Sequence, residues 1–373
     1  MNKLLITEFE KIDRREMLDC RMKTLKEFAR FYGTDLPTSY VYLLTESFSF
    51  WLGKINFPSL SVTNIPYAVV SDNQVEQTFF ANLDLEVMQE AIPADASGMA
   101  HLKSLVDAGL PVICKMDGRI FLPRKELKAD SSVSQIHYLS YVLLVGYDNQ
   151  LDRVRIVLTH FNSIEAPISF PISEFQAARE SVCFPYSPGC MCLYRTKRSK
   201  VALPDAKIET LLLYSIKRTV ANMLYGQARV LNIPDFDCHQ LNSGLAAMED
   251  FRNCLLTYQV ELSADKKNEI LRKKIEFSLL FLRSSLMNGT VTGFRYEFGQ
   301  ALVRFGEEFG YWKFEEAGKK FLTSAKLWQE WLSLVGRIPH DMNHLSHYLD
   351  RIEMVFNKII HLEKKAFLWI EKI

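Results

Sequence analysis

The chain has 373 residues, 48% of them hydrophobic, which is enough for two domains with cores of their own. Its 45 basic and 44 acidic side chains leave a formal net charge of +1, so nothing supports non-specific nucleic-acid binding or attraction to an anionic membrane surface. No apolar run reaches the roughly 18 residues of a transmembrane helix, and Glu8 comes too early for the apolar region of a signal peptide.

The first predicted element opens at Leu18-Asp19-Cys20-Arg21 and reads as a helix stopped by Gly33. Short β-rich runs follow, broken by Pro and Gly. Tyr67 to Val70, entered through Ile65-Pro66, Pro111 to Met116, Tyr141 to Val145 and Arg153 to Leu158 all read as strands. Ser97 to Ala108 reads as a helix stopped by Gly109, and Ser173 to Glu180 as another with Ser173 as N-cap. A helix followed by helices mixed with a mostly antiparallel sheet predicts an α+β domain over residues 1–200.

A charged, Pro-containing join, Arg195 to Pro204, leads into an all-helical domain over residues 201–373, packed on the first. Its expected helices run from Ile208 to Tyr225, Asn242 to Val260, Lys266 to Met287, Gly293 to Gly310, Lys313 to Val335 and Asp341 to Ile373. Asn288-Gly289 supplies a left-handed stop. Phe277, Phe281, Phe305 and Phe309 stand at helical spacing as core positions.

Seven cysteines is an odd count with no repeated spacing, and Cys190 and Cys192 fit neither a zinc knuckle nor a redox pair. Free thiols in a reducing cytoplasm are expected, and no metal site. Cys20 stands apart because a thiol at a helix N-terminus feels the positive end of the macrodipole, which favours the thiolate. Papain-like enzymes hold their nucleophile in such a place, with the base later in the chain at the start of a strand. Two histidines lie near suitable strands, His137 before Tyr141 to Val145 and His160 after Leu158. Asn162 could orient an imidazole. His344 and His347 share a helix face with Asp341, and the missing acid makes that a solvated face rather than a metal pair.

Several motifs in order resemble the butirosin biosynthesis protein H family, both its N-terminal domain and the helical domain that often follows it. They are Cys20 at a helix start, Tyr32-Gly33 at its end, Phe48-Ser49-Phe50-Trp51-Leu52, Ala108-Gly109-Leu110-Pro111-Val112-Ile113, Asp117-Gly118-Arg119-Ile120-Phe121-Leu122-Pro123, Gly146-Tyr147-Asp148 and Ile172 to Arg179. Asn288-Gly289-Thr290, Gly293-Phe294-Arg295 and Ala325-Lys326-Leu327-Trp328 match in the second half. The resemblance implies a papain-like, cysteine-protease-type N-terminal domain. It implies an acyltransferase of natural-product biosynthesis that moves an acyl group from a phosphopantetheine thioester on an acyl or peptidyl carrier protein to a small-molecule amine through a Cys20 acyl-enzyme. No bound cofactor is implied.

The family's base and orienting acid correspond here to Ser140 and Thr159, neither of which can take those roles. Either His137 or His160 serves as base from a shifted register, or the triad is lost. Ser140 and Thr159 are then candidate substrate contacts. Asp117 is a turn residue or a cleft-lining one, and Arg295 an ion-pair partner or the holder of a phosphate at a helix N-terminus. Three functions remain open: the acyltransferase, a non-catalytic relative that binds a carrier protein or acts as a scaffold, and a cysteine peptidase or amidase.

Overall fold

The computed structural model describes residues 3–6, 9, 20–57, 62–70, 74–121, 139–158, 167–182, 188–201, 203–226, 242–265, 267–288, 292–338 and 344–373. The first elements are β1 (Lys3–Leu5), α1 (Cys20–Phe31), α2 (Thr38–Thr45), β2 (Trp51–Phe57), β3 (Val62–Val69), α3 (Val75–Asn82), β4 (Met88–Ala91) and α4 (Ala96–Asp107). Next come β5 (Val112–Asp117), α5 (Gly118–Phe121), β6 (Leu139–Asp148), β7 (Arg153–Leu158), β8 (Ile168–Pro171), α6 (Ile172–Glu180) and β9 (Met191–Tyr194). The rest are α7 (Asp205–Tyr225), β10 (Asn242–Ser243), α8 (Gly244–Ala264), α9 (Glu269–Asn288), α10 (Arg295–Phe309), α11 (Trp312–Arg337) and α12 (Leu345–Glu371). The protein is α+β, and the two sheets among the described residues are antiparallel.

The chain forms two compact units, one of Met1–Val41 with Phe79–Pro204, the other of Tyr42–Thr78 with Asp205–Ile373. These are not the two consecutive segments expected from the sequence. The break at Pro204 agrees with the expected join, but residues 42–78 group with the C-terminal helices. The reason is pairing: β2 and β3 form a hairpin whose third strand is β10, so the second unit carries a small sheet and is not all helical.

In the first unit a seven-stranded sheet runs β4-β9-β5-β6-β7-β8, with β1 also on β6. Strand β6 is an almost unbroken apolar run and every residue after Leu139 is buried, the pattern of a strand covered on both faces. Val142 and Leu144 join Val112, Cys114 and Met116 in a core capped by Met99, Leu102 and Val106 of α4 and Phe175 and Ala178 of α6. Helix α6 starts at Ile172, one residue before the expected cap. Pro171 is the N-cap and offers no side-chain bond. Instead the Ile172 N–H donates to the Asp152 carbonyl at 3.0 Å, so Ser173 lies inside the helix.

Helix α1 ends as expected at Gly33, whose φ of +96° suits glycine. The charged join after β9 packs against this end. Arg195 lies 4.6 Å from the Tyr32 ring centre, the Val201 N–H donates to the Tyr32 carbonyl at 2.6 Å, and the Thr34 hydroxyl donates to the Val201 carbonyl at 2.7 Å.

In the second unit the hairpin buries Trp51, Ile55, Ile65, Tyr67 and Val69, with Phe277 and Phe281 of α9 packed on them. The long helices match their expected spans to within about four residues, as strongly periodic segments do. Helices α10 and α11 approach closely at Gly299 and Gly318. A Cβ on Gly318 would come within 2.6 Å of the Gly299 carbonyl oxygen, and one on Gly299 within 2.9 Å of that of Gly318.

A charge sits inside this helical core. Arg295 and Glu363 are both fully buried. Arg295 Nε donates to Glu363 Oε1 at 3.1 Å and Nη2 to Oε2 at 3.3 Å. Nη1 donates to the Ser49 carbonyl at 3.1 Å and the Gly293 carbonyl at 2.8 Å. The Ser324 hydroxyl and the Trp328 indole N–H add bonds to Glu363 of 2.6 and 3.0 Å, and the guanidinium lies 4.2 Å from the Phe48 ring centre. The preceding residue, Phe294, has a φ of +65°, a conformation that costs a bulky residue energy and that turns the chain so that Arg295 begins α10.

Removing one partner of a buried ion pair strands a charge, which costs about 3–5 kcal/mol. Glu363→Ala is therefore expected to lower the unfolding free energy by that much in urea titrations. Arg295→Met combined with Glu363→Leu is expected to cost less than Glu363→Ala alone, because no charge is left behind.

Candidate functional site

Cys20 is the first residue of α1 and is half-buried. The sequence puts it there because the apolar positions Met22, Leu25, Phe28 and Ala29 bury one stripe of the helix, and Gly33 fixes the other end. Thr24, one turn after Cys20 and so on the same helix face, donates its hydroxyl to the Tyr141 carbonyl of β6 at 3.1 Å. Arg21 lies 5.2 Å from the Tyr141 ring centre, and Lys115 of β5, opposite Tyr141 in register, lies 5.4 Å from the same ring centre. The N-terminal turn of α1 is thus tied to the beginning of β6.

Ser140 is fully buried and pairs with Met116. Side chains alternate along a strand, so Ser140 shares the face of Val142 and Leu144, the face covered by α4 and α6. Tyr141, in contact with Arg21, belongs to the other face. A serine directed into that core is not a contact for a substrate held at Cys20.

Asp117 ends β5 and is 1% exposed. The Arg119 backbone N–H donates to Oδ1 at 3.0 Å, and Arg119 Nε and Nη2 donate at 3.2 and 3.0 Å. The Ser181 hydroxyl donates at 2.7 Å. Burial alone would raise this carboxyl, but the bonds from Arg119 and Ser181 outweigh it and hold the group at about 2. The residue closes a turn and joins α5 to the end of α6, the role of an internal strut rather than of a cleft wall.

Arg295 likewise has four of its five N–H groups engaged by protein acceptors. A phosphate there would have to displace Glu363. His137, Thr159, His160 and Asn162 lie outside the described residues, as does Asp341. Among the described residues no group of three His, Cys, Asp or Glu side chains is arranged to hold a metal, and no helix is long and apolar enough to cross a membrane.

Sequence reasoning missed Thr24, Arg21 and Ser181. Thr24 was findable, being four residues from Cys20. Ser181 was not, because its bond to Asp117 spans 64 residues.

Because Asp117 is held below its unfolded value near 3.9, its contribution to stability is present above about pH 4 and is lost as pH falls toward 2. Asp117→Asn is expected to lower the melting temperature at pH 7, and the gap from wild type to narrow as melts are taken from pH 5 to pH 3.

No protein-family model matches this chain, and no curated protein matches it.

Proposed function

We propose that the protein is a cysteine-dependent acyl-transfer enzyme of papain-like type, which takes an acyl group from a carrier-protein phosphopantetheine thioester and passes it to an amine in natural-product assembly. One observation carries the reading: Cys20 begins α1, half-buried, on the helix face that Thr24 ties to the start of β6. It joins a half-buried thiol on a helix to a neighbouring strand, the kind of placement a cysteine nucleophile uses.

The chemistry balances without a cofactor. Cys20 Sγ attacks the thioester carbonyl, and the donor's C–S bond breaks as its thiol leaves with a proton. An amine then attacks the Cys20 thioester, the C–S bond breaks, and the departing Cys20 sulfur recovers a proton from the amine by way of the base. Backbone N–H groups of the first turn of α1 stabilise the oxyanion in both steps. For the base, His137 is the first candidate, whereas Ser140, on the face covered by α4 and α6, cannot serve. His160, with Asn162 to orient it, is the second candidate. A specific observation favours a rival reading, in which the chain binds a carrier protein without catalysis: at the strand start, where the resemblance calls for an imidazole, stands Ser140, buried in the core.

Incubation with acyl-pantetheine thioesters, followed by intact-mass spectrometry, tests the reading. A Cys20-linked acyl adduct is expected, lost in Cys20→Ala and kept in Cys183→Ala. Adding amines is expected to give amide; release of free acid alone would make the protein a peptidase-type or amidase-type hydrolase. His137→Ala is expected to slow adduct formation by more than about 100-fold; loss in His160→Ala instead transfers the role. No adduct, with carrier-protein binding retained, would make the non-catalytic reading the correct one.

A further inference from the structure

The first unit contains a second thiol site, unrelated to Cys20. Cys114 of β5 and Cys192 of β9 face each other directly across the antiparallel pair. Both are fully buried, and their Sγ atoms are 3.8 Å apart. Beside them, from α6, comes Arg179, itself fully buried. Its Nη2 donates to the Ile92 carbonyl and lies 3.7 Å from Cys192 Sγ. Among the described residues its Nε and Nη1 have no hydrogen-bond partner, and no carboxylate pairs with it. Glu90, opposite Cys192 on β4, is engaged by the Tyr194 hydroxyl at 2.6 Å.

A buried guanidinium without a counter-charge is costly. The contrast with Arg295, held by a buried carboxylate, shows what is missing. Cys192 is the ionisable group in contact with Arg179, and Cys114 can donate its S–H to a Cys192 thiolate. We infer that Cys114 and Cys192 form a redox-active pair, in which Arg179 stabilises Cys192 as the thiolate and a peroxide converts the pair to a cross-strand disulfide.

The geometry suits that bond. Directly opposed residues of an antiparallel pair have Cα atoms about 4.5–5.5 Å apart, inside the range a disulfide spans. Only side-chain rotation is needed to bring the sulfurs from 3.8 Å to bonding distance. Hydrogen bonding from Cys114, opposed by burial and assisted by Arg179, holds the Cys192 thiol below its usual range, while burial pushes Cys114 up. The nucleophile is therefore Cys192. Its sulfur attacks one peroxide oxygen, the O–O bond breaks, and hydroxide leaves to be protonated to water. Cys114 Sγ then attacks the sulfenic sulfur, the S–S bond forms, and the S–O bond breaks. The hydroxide departs as a second water with the Cys114 proton.

The test uses the full chain, reduced and then exposed to hydrogen peroxide, alkylated after unfolding and mapped by peptide mass spectrometry. A Cys114–Cys192 cross-linked peptide is expected, accompanied by loss of two hydrogens and reversed by dithiothreitol. Cys114→Ser is expected to leave a sulfenic acid on Cys192 that dimedone traps. Arg179→Met is expected to slow cross-linking by at least about 10-fold, with Arg179→Lys restoring most of the rate. If Cys190 or Cys254 is oxidised while Cys114 and Cys192 in the wild-type chain stay fully alkylatable, the inference is overturned. Cross-linking of Arg179→Met at the wild-type rate would overturn the role of the guanidinium.

Discussion

Strand β6 is apolar along almost its whole length, and water must be kept from both of its faces. The first unit is organised around that requirement. One face takes α4 and α6 through a shared core; the other is tied to α1 by the Thr24 bond and the Arg21–Tyr141 contact. Neighbouring strands β5, β7 and β1 satisfy its backbone. The helix that begins at Cys20 thus lies against β6 because the strand needs a cover, and the position of the thiol follows from a packing demand rather than from a loop.

Two buried arginines show two solutions to one electrostatic problem. Arg295 meets a carboxylate, two carbonyls and aromatic faces, and it cross-links α10 and α12 to the segment before β2. The ion pair fixes register as much as it adds stability, since each bond demands a particular rotation of its helix. Arg179 meets a carbonyl, a sulfur and the Phe175 ring at 5.5 Å. Polarisable, ionisable sulfur stands where the other unit has oxygen. A charge neutralised by a group that can be oxidised ties the electrostatics of the interior to its chemistry.

What the sequence revealed was local. The stop of α1 at Gly33, strands at Val112 and Arg153 and the long C-terminal helices all follow from patterns within about 20 residues, where periodicity and turn chemistry act. What it hid was long-range. Nothing near Trp51 shows that its strand pairs with Asn242–Ser243. Nothing near Gly293-Phe294-Arg295 shows that the guanidinium's partner is Glu363; of the two readings of Arg295, ion-pair partner and phosphate holder, the ion pair is the one present. Ser140 was misjudged for a subtler reason. The alternation along the strand is legible, but which of its two faces is covered by α4 and α6 depends on partners far along the chain.

The grouping of the β2–β3 hairpin with the C-terminal helices has a consequence for biosynthesis. Tyr67 packs on Phe281 at 5.3 Å, and the Val70 N–H donates to the Ser285 hydroxyl at 2.9 Å, yet α9 is made long after the hairpin leaves the ribosome. At ordinary translation speeds the apolar side of the hairpin waits on the order of 10–40 s for its cover. During that interval the nascent chain carries exposed Trp51, Ile55, Ile65 and Tyr67 on two strands that can add to any free sheet edge. The hairpin's apolar face is thus completed only by a helix made about two hundred residues later, so the order of synthesis and the order of packing differ in this unit.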